Sequence, residues 1–289
     1  MARKQLICGA LLSGLATCLA GSPQRIISAS PSITEILYGL GTLDKVVAVS
    51  DYCKYPPEVK SLPRIGGWST LNLERLAALH PDLVILTDAQ APFLQDQIQQ
   101  LGVKTLVTPS RTVQDAFTAM ELIGRGTGRE REARELAAST RAALERVRAR
   151  ARGLPRPAVL CVVDRTPGTL RDLYAATPGS FLAELIEIAG GTTIAPASRD
   201  GYRRIDKETV LSLNPDVIID MVQGEKGKLA EDPQAVWRDL PELKAVRSRS
   251  VYPIRDEYVL HASQMIARTA VALARILHPE VPQKEWEKQ

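Results

Sequence analysis

A fifteen-residue phrase occurs twice in this chain, as NLERLAALHPDLVIL from Asn72 to Leu86 and as DKETVLSLNPDVIID from Asp206 to Asp220. In each copy a glutamate precedes a proline by seven residues, Glu74 before Pro81 and Glu208 before Pro215, and an aspartate, Asp82 or Asp216, follows the proline. The same helix-to-strand unit written twice constrains the chain to two similar lobes, each displaying one acid at the same place. A matched pair of displayed acids suggests clamping and docking more than chemistry.

Each copy has a direct physical reading. Asn72 and Asp206 are good helix N-caps, because their side-chain oxygens can accept the free amides of the first turn. Glu74 and Glu208 follow two residues later, where the positive end of the helix dipole favours negative charge. Leu76 and Leu79 match Val210 and Leu213, spaced three apart on one buried face. Pro81 and Pro215 should stop the helix, since a residue before proline avoids the α region. LVIL and VIID then read as short buried strands of a parallel sheet. On this ground alone the glutamates are either helix-end residues or acids shown to a partner.

At 289 residues the chain suits one or two domains with real cores. Arg3 and Lys4 precede an apolar run from Leu6 to Leu19 and then small residues. That is the pattern of an export signal, expected over residues 1–21, and the run is short for a membrane span. Cys18 after Leu15-Ala16-Thr17 resembles a lipoprotein cleavage box, so a lipid anchor there is the alternative to ordinary cleavage near Ala20. Without Arg3 and Lys4 the chain is close to neutral, which argues against nucleic acid as a partner. Cys8 and Cys18 fall in the leader. Cys53 and Cys161 remain, are expected in different lobes and unpaired, and form no zinc pattern.

Strand and helix signals alternate from Arg25 to Thr108, the mark of a parallel α/β lobe. From Thr112 to Arg152 no strand signal appears. Arg129–Arg152 is almost all strong helix formers, a rod of roughly 36 Å. Alternation resumes at Ala158–Asp164 and closes with a helix over Ala262–Leu277. The tail after Pro279 is polar and expected to fray. The predicted organisation is a leader (1–21), an N-terminal α/β lobe (22–125), a connecting helix (126–154) and a C-terminal α/β lobe (155–289). The fold class is α/β: two Rossmann-like lobes with parallel sheets joined by a single long backbone helix.

Chemistry-bearing motifs are missing: no P-loop, no GxGxxG, no GxSxG, no HxH or HExxH. No catalytic residue and no resident metal or cofactor is expected. His80 and His278 precede prolines and read as structural. His261, three residues after Tyr258, is the one placed to face a ligand. Aromatic residues make up only 4% of the chain, so their positions are informative. Tyr52, Tyr55 and Trp68 bracket a Pro/Gly-rich loop of the first half, while Tyr174, Tyr202 and Tyr258 read as loop residues of the second. Loop aromatics beside strand ends suit a cleft between lobes.

The order RIISASPSITEILYGLG, VSDYCKYPPEV, IGGW and NLERLAALHPDLVIL resembles the helical-backbone (class III) substrate-binding proteins of bacterial ABC importers. The resemblance runs from Arg25 to about Leu277. It implies an exported, periplasmic, non-enzymatic monomer that binds cobalamin, haem or a ferric siderophore and delivers it to an inner-membrane permease. Ser50, Tyr52, Tyr55-Pro56-Pro57, Trp68 and Asn72-Leu73-Glu74 are most similar to the cobalamin-binding branch. GGWSTLNLE stands where the haem branch has an SAEG phrase. Thr87 departs from the cobalamin branch, which can have Trp there, as do the tyrosines that stand for tryptophan in the second lobe. The ligand residues so implied are Tyr52, Trp68, Tyr174, Tyr202, Glu257 and Tyr258. Glu74 and Glu208 take the positions of acids that pair with permease arginines. The transported ligand so implied is cobalamin, with a ferric siderophore or haem as the alternative.

Overall fold

The computed structural model describes residues 21–221 and 232–287. The predicted leader, with Cys8 and Cys18, lies outside these residues except for Gly21. The first half runs β1 (Ile26–Ser28), α1 (Pro31–Gly39), β2 (Val46–Val49), α2 (Leu73–Ala78), β3 (Leu83–Thr87), α3 (Ala91–Gln100) and β4 (Thr105–Thr108). Two helices follow, α4 (Val113–Thr127) and α5 (Glu130–Ala151). The second half runs β5 (Ala158–Asp164), β6 (Leu173–Ala176), α6 (Phe181–Ile188), β7 (Thr192–Thr193), β8 (Tyr202–Ile205), α7 (Lys207–Leu213), β9 (Val217–Asp220), α8 (Pro233–Trp237), α9 (Lys244–Arg247), β10 (Val251–Pro253) and α10 (Ile266–Leu277).

The repeat organises both sheets. Its strands, β3 and β9, pair in parallel with the opening strand of their lobe, Ile26 against Leu83 and Val159 against Val217. The aspartate after each proline fastens that opening strand. Asp82 accepts from the amides of Gln24 (2.7 Å) and Arg25 (3.1 Å), and Asp216 accepts from the amide of Ala158 (3.0 Å). The residue before each proline is left-handed, His80 and Asn214 both at φ 44°. The helices therefore end through a left-handed turn, a sharper exit than the extended residue expected before proline.

The first sheet has the order β2-β1-β3-β4 and is parallel, with Arg64 bridging to the β2 edge at Val49. The second has the order β10-β9-β5-β6-β8, with β7 also on β5. Here β6 and β8 add an antiparallel pair that the expectation of a parallel sheet did not contain. Tyr174 and Tyr202 lie on these strands, not in loops. Tyr174 projects to solvent because its neighbours Leu173 and Ala175 point into the core.

Helix α5 has 22 residues, about 33 Å at the helical rise, and is the covalent path between the sheets. Its buried stripe is Ala133, Ala137, Thr140, Leu144, Val147 and Ala151, spaced alternately four and three apart. It packs on α4, α6 and α10. Helix α4 fills the stretch that showed no strand signal. Thr112 and Asp115 begin it with a reciprocal capping box. Its glycines do not interrupt it, and at Gly124 the reason is close approach: a Cβ there would stand 2.4 Å from the Cβ of Ala133 on α5.

The chain end is also anchored. Residues Gln283–Glu287 form a 3-10 turn whose Trp286 is buried and stacks on His278 at 5.9 Å. His278 Nε2 in turn bonds the carbonyl of Ala189 at 3.0 Å. The polarity of the tail concealed this one indole, which holds it down. Among the described residues no helix is long and apolar enough to cross a membrane.

Gly124→Val should overpack the α4–α5 contact. A loss of about 1–3 kcal/mol is expected, read as a lower urea midpoint in circular dichroism.

Candidate ligand cleft and docking surface

In open α/β sheets ligands gather outside the carboxyl ends of the parallel strands. Most of the predicted contact residues lie there. Tyr52 follows β2, Glu257 and Tyr258 follow β10, and Tyr174 pairs with Asp164 at the end of β5.

In the first lobe a tight turn lifts Trp68 into solvent. Gly66 bridges Leu71, and the amide of Gly67 donates to Thr70 at 3.0 Å. Gly66 has φ 111°, and a Cβ there would meet the Thr70 oxygen at 2.6 Å, so only glycine fits. Gln90, fully buried, fixes this turn to the sheet. Its amide donates to the carbonyls of Ala29 (2.9 Å) and Trp68 (3.1 Å) and accepts from the Thr87 amide (3.1 Å). Trp68 and Phe93 sit 5.6 Å apart, 45% and 50% exposed. The Tyr52 ring lies alongside Gly67 and is 56% exposed. A second exposed pair is Tyr38 edge-on to Tyr55, 5.6 Å apart. Phe93 and Tyr38 were not read from the sequence. Phe93 follows Ala91-Pro92 in an ordinary helix start, and Tyr38 lies on the outer face of α1. The loop carrying Tyr52 and Tyr55 is held by Arg64, which donates to the carbonyls of Ser50 (2.9 Å) and Val59 (3.1 Å).

In the second lobe Tyr174 stacks on Tyr202, 5.8 Å apart with planes 18° off parallel. They are diagonal neighbours across β6 and β8. Tyr174 faces solvent while Tyr202 backs it, and burial pushes the Tyr202 phenol well above its usual range. A small polar cavity of about 310 Å³ opens beside Tyr174, lined by Asp164, Thr166, Asp172 and Arg204. Beneath it Asp220 accepts from Arg165 Nε (3.0 Å) and from the Trp237 indole (2.7 Å), all buried. Arg268 stacks on Tyr258 at 4.3 Å. Burial, and then Asp256, raise the Tyr258 phenol.

The two lobes meet through polar contacts. Glu257 pairs with Lys54 of the first lobe. The buried Glu35 carboxylate of α1 takes His261 Nδ1 at 2.6 Å and the hydroxyl of Ser263. The amide of Phe181 donates to Arg111 at 2.6 Å, and that of Val113 to Glu184 at 2.8 Å. Among the predicted ligand residues the structure brings Tyr174 to Tyr202, and sets Tyr52 and Trp68 on either side of Gly67. It joins Glu257 to Lys54 and sets Tyr258 under Arg268.

Glu74 and Glu208 occupy the second helical position of α2 and α7. Asn72 caps the first helix through the Arg75 amide (2.8 Å), and Asp206 caps the second through the Thr209 amide (2.8 Å). Both glutamates are exposed, and neither has an ion-pair partner among the described residues. The likeness of the two copies extends upstream in sequence: at the same offset Gly67-Trp68 matches Gly201-Tyr202, each glycine-aromatic pair leading into its cap.

A family profile described as periplasmic binding protein matches residues 26–258. An uncharacterised ABC transporter substrate-binding lipoprotein of Bacillus subtilis is 28% identical over 263 residues, 89% of this chain and 81% of its own. A vitamin B12-binding protein of Yersinia pestis is 29% identical over 269 residues, 92% of this chain and 90% of its own. Among solved structures, a periplasmic heme-binding protein of Roseiflexus, in apo form, has a TM-score of 0.77 and 25% identity, covering 90% of this chain and 99% of its own.

Cys53 and Cys161 are buried and unpaired. Burial raises the Cys53 thiol and pushes Cys161 up to about 12, so neither offers a thiolate near neutrality. Both should resist a thiol reagent such as DTNB in the native protein and react once it is unfolded in guanidinium.

Proposed function

Because the chain belongs to the periplasmic binding protein family and is a substrate-binding component of an ABC importer, not an enzyme, we propose that its cargo is a corrinoid such as cobalamin. The observation that carries this reading is the set of exposed aromatic faces at the strand ends of both lobes. Trp68, Phe93 and Tyr52 stand on one side and Tyr174 on the other. A corrin is broad and apolar across its faces. Rings with two χ angles meet such a surface with little entropy lost. The tyrosine hydroxyls and Glu257 supply partners for its peripheral amides. The vitamin B12-binding relative, aligned over nearly the whole chain, supports the same cargo.

A second reading, haem, is favoured by His261. Glu35 holds its Nδ1, and a carboxylate on one ring nitrogen orients the other toward a metal. The heme-binding structural relative is consistent with it. A ferric siderophore is the remaining cargo of this class.

In this reading the protein acts outside the cytoplasm, released after cleavage near Ala20 or held by a lipid on Cys18. Glu74 and Glu208 meet arginines of the permease, one from each lobe.

Titration of the purified mature protein with aquocobalamin, haem and ferric siderophores tests the cargo. Aquocobalamin should bind, and Trp68→Ala should weaken it roughly tenfold without lowering the unfolding midpoint. A Soret shift with haem and no response to aquocobalamin would assign the cleft to the second reading. For docking, Glu74→Arg with Glu208→Arg should abolish cargo-stimulated ATP hydrolysis by the permease and leave cargo affinity unchanged. Equal loss of both would remove the docking role.

A further inference from the structure

The two copies of the repeat share a fold but not a charge. Ser69, Thr70 and Leu73 of the first copy stand where the second has Arg203, Arg204 and Lys207. The same register that places Glu74 and Glu208 alike therefore surrounds only Glu208 with cations. Arg171 joins them from the turn before β6. These four side chains, with Asp172, Asp206 and Glu208, line an open cavity of about 680 Å³ at the α7 end of the second lobe. Arg204 is paired with Asp172 at 3.3 Å. The side chains of Arg171, Arg203 and Lys207 have no ion-pair or hydrogen-bond partner among the described residues, and both arginines are exposed. In the first lobe the cation beside Glu74 is Arg75, and its guanidinium is already bound to the carbonyl of Arg64 at 2.8 Å.

Four cations against three carboxylates, of which Asp172 is paired with Arg204 and Asp206 holds the Thr209 amide, disfavour a purely cationic partner. An arginine approaching Glu208 alone would meet Lys207 and Arg203 within the same patch, where like charges oppose association. We propose that the lobe-two face docks a partner segment bearing carboxylates next to its cation, so that Arg203, Lys207 and Arg171 pair with acids while Glu208 pairs with a base. The lobe-one face, with Glu74 beside a single cation already held by a carbonyl, docks a segment that needs only the base. The proposal rests on the docking role of the two glutamates and adds to it. The importer's permease presents different charge patterns to the two lobes, and this chain seats on it in one orientation.

The test uses the mature protein with cargo and the importer's own permease in lipid vesicles. Arg203→Glu with Lys207→Glu should cut the stimulation of ATP hydrolysis at least tenfold and leave cargo affinity and the unfolding midpoint unchanged. Arg203→Lys should retain stimulation, because charge and not guanidinium geometry is the requirement. Carbodiimide coupling should join Lys207 to an aspartate or glutamate of the permease, located by mass spectrometry. Full stimulation by the doubly reversed protein, with Glu74→Arg and Glu208→Arg still inactive, would overturn this inference and leave the docking role standing. Loss of cargo affinity on reversing Arg203 and Lys207 would instead assign the patch to the cargo and overturn it as well. If Glu74→Arg and Glu208→Arg are also without effect, the docking role itself falls.

Discussion

A carboxylate taken out of water must be met by donors, and the buried Glu35 finds its side-chain donors in the other lobe. It leaves the first sheet on α1, and the chain that satisfies it follows β10, more than two hundred residues later. Leaving such a buried acceptor without a partner costs about 1–3 kcal/mol. The lobes are therefore tied to each other by these contacts as well as by α5. Phe181 on Arg111 and Glu184 on Val113 repeat the connection at the start of α4. The spine α5 packs on α4, α6 and α10 through the stripe from Ala133 to Ala151.

The exposed rings at the strand ends are set by buried partners. Trp68 is carried by a turn that only Gly66 permits, and Gln90 fastens that turn to the ends of β1 and β3. Tyr174 is backed by Tyr202. Trp68 and Tyr174 thus each rest on buried support. Lys54 and Glu257 face each other across the junction. The residue expected to contact cargo through its acid is in this state engaged with the opposite lobe.

The two-lobe plan was legible because it is written twice. Caps, burial spacing and the proline-aspartate step each recur in both copies. The long helix was legible from propensity, within a residue at either end. Helix α4 was not, because Gly124 and Gly126 lie inside it and lower its propensity, while Gly128 ends it as a left-handed cap. The Thr112–Asp115 box that starts it was the available signal. The antiparallel pair β6 and β8 escaped because alternation of strands with helices says nothing of direction. Phe93 and Tyr38 escaped because a lone aromatic on a helix reads as packing. What they face is decided by other elements. The likeness of Gly67-Trp68 to Gly201-Tyr202 was present in the sequence, just upstream of the phrase where the repeat was first recognised.

The aspartate latches carry a consequence for how the chain assembles. Asp82 reaches back to Gln24 and Asp216 to Ala158, and each of these contacts spans the same 58 positions. Glu35 and His261 are 226 positions apart. Closing a short loop costs less entropy than closing a long one. Each half can therefore complete its own sheet from its own residues as it emerges, and the join between halves comes last. A polypeptide that emerges in order gains from that schedule, since its first sheet need not wait for its second half.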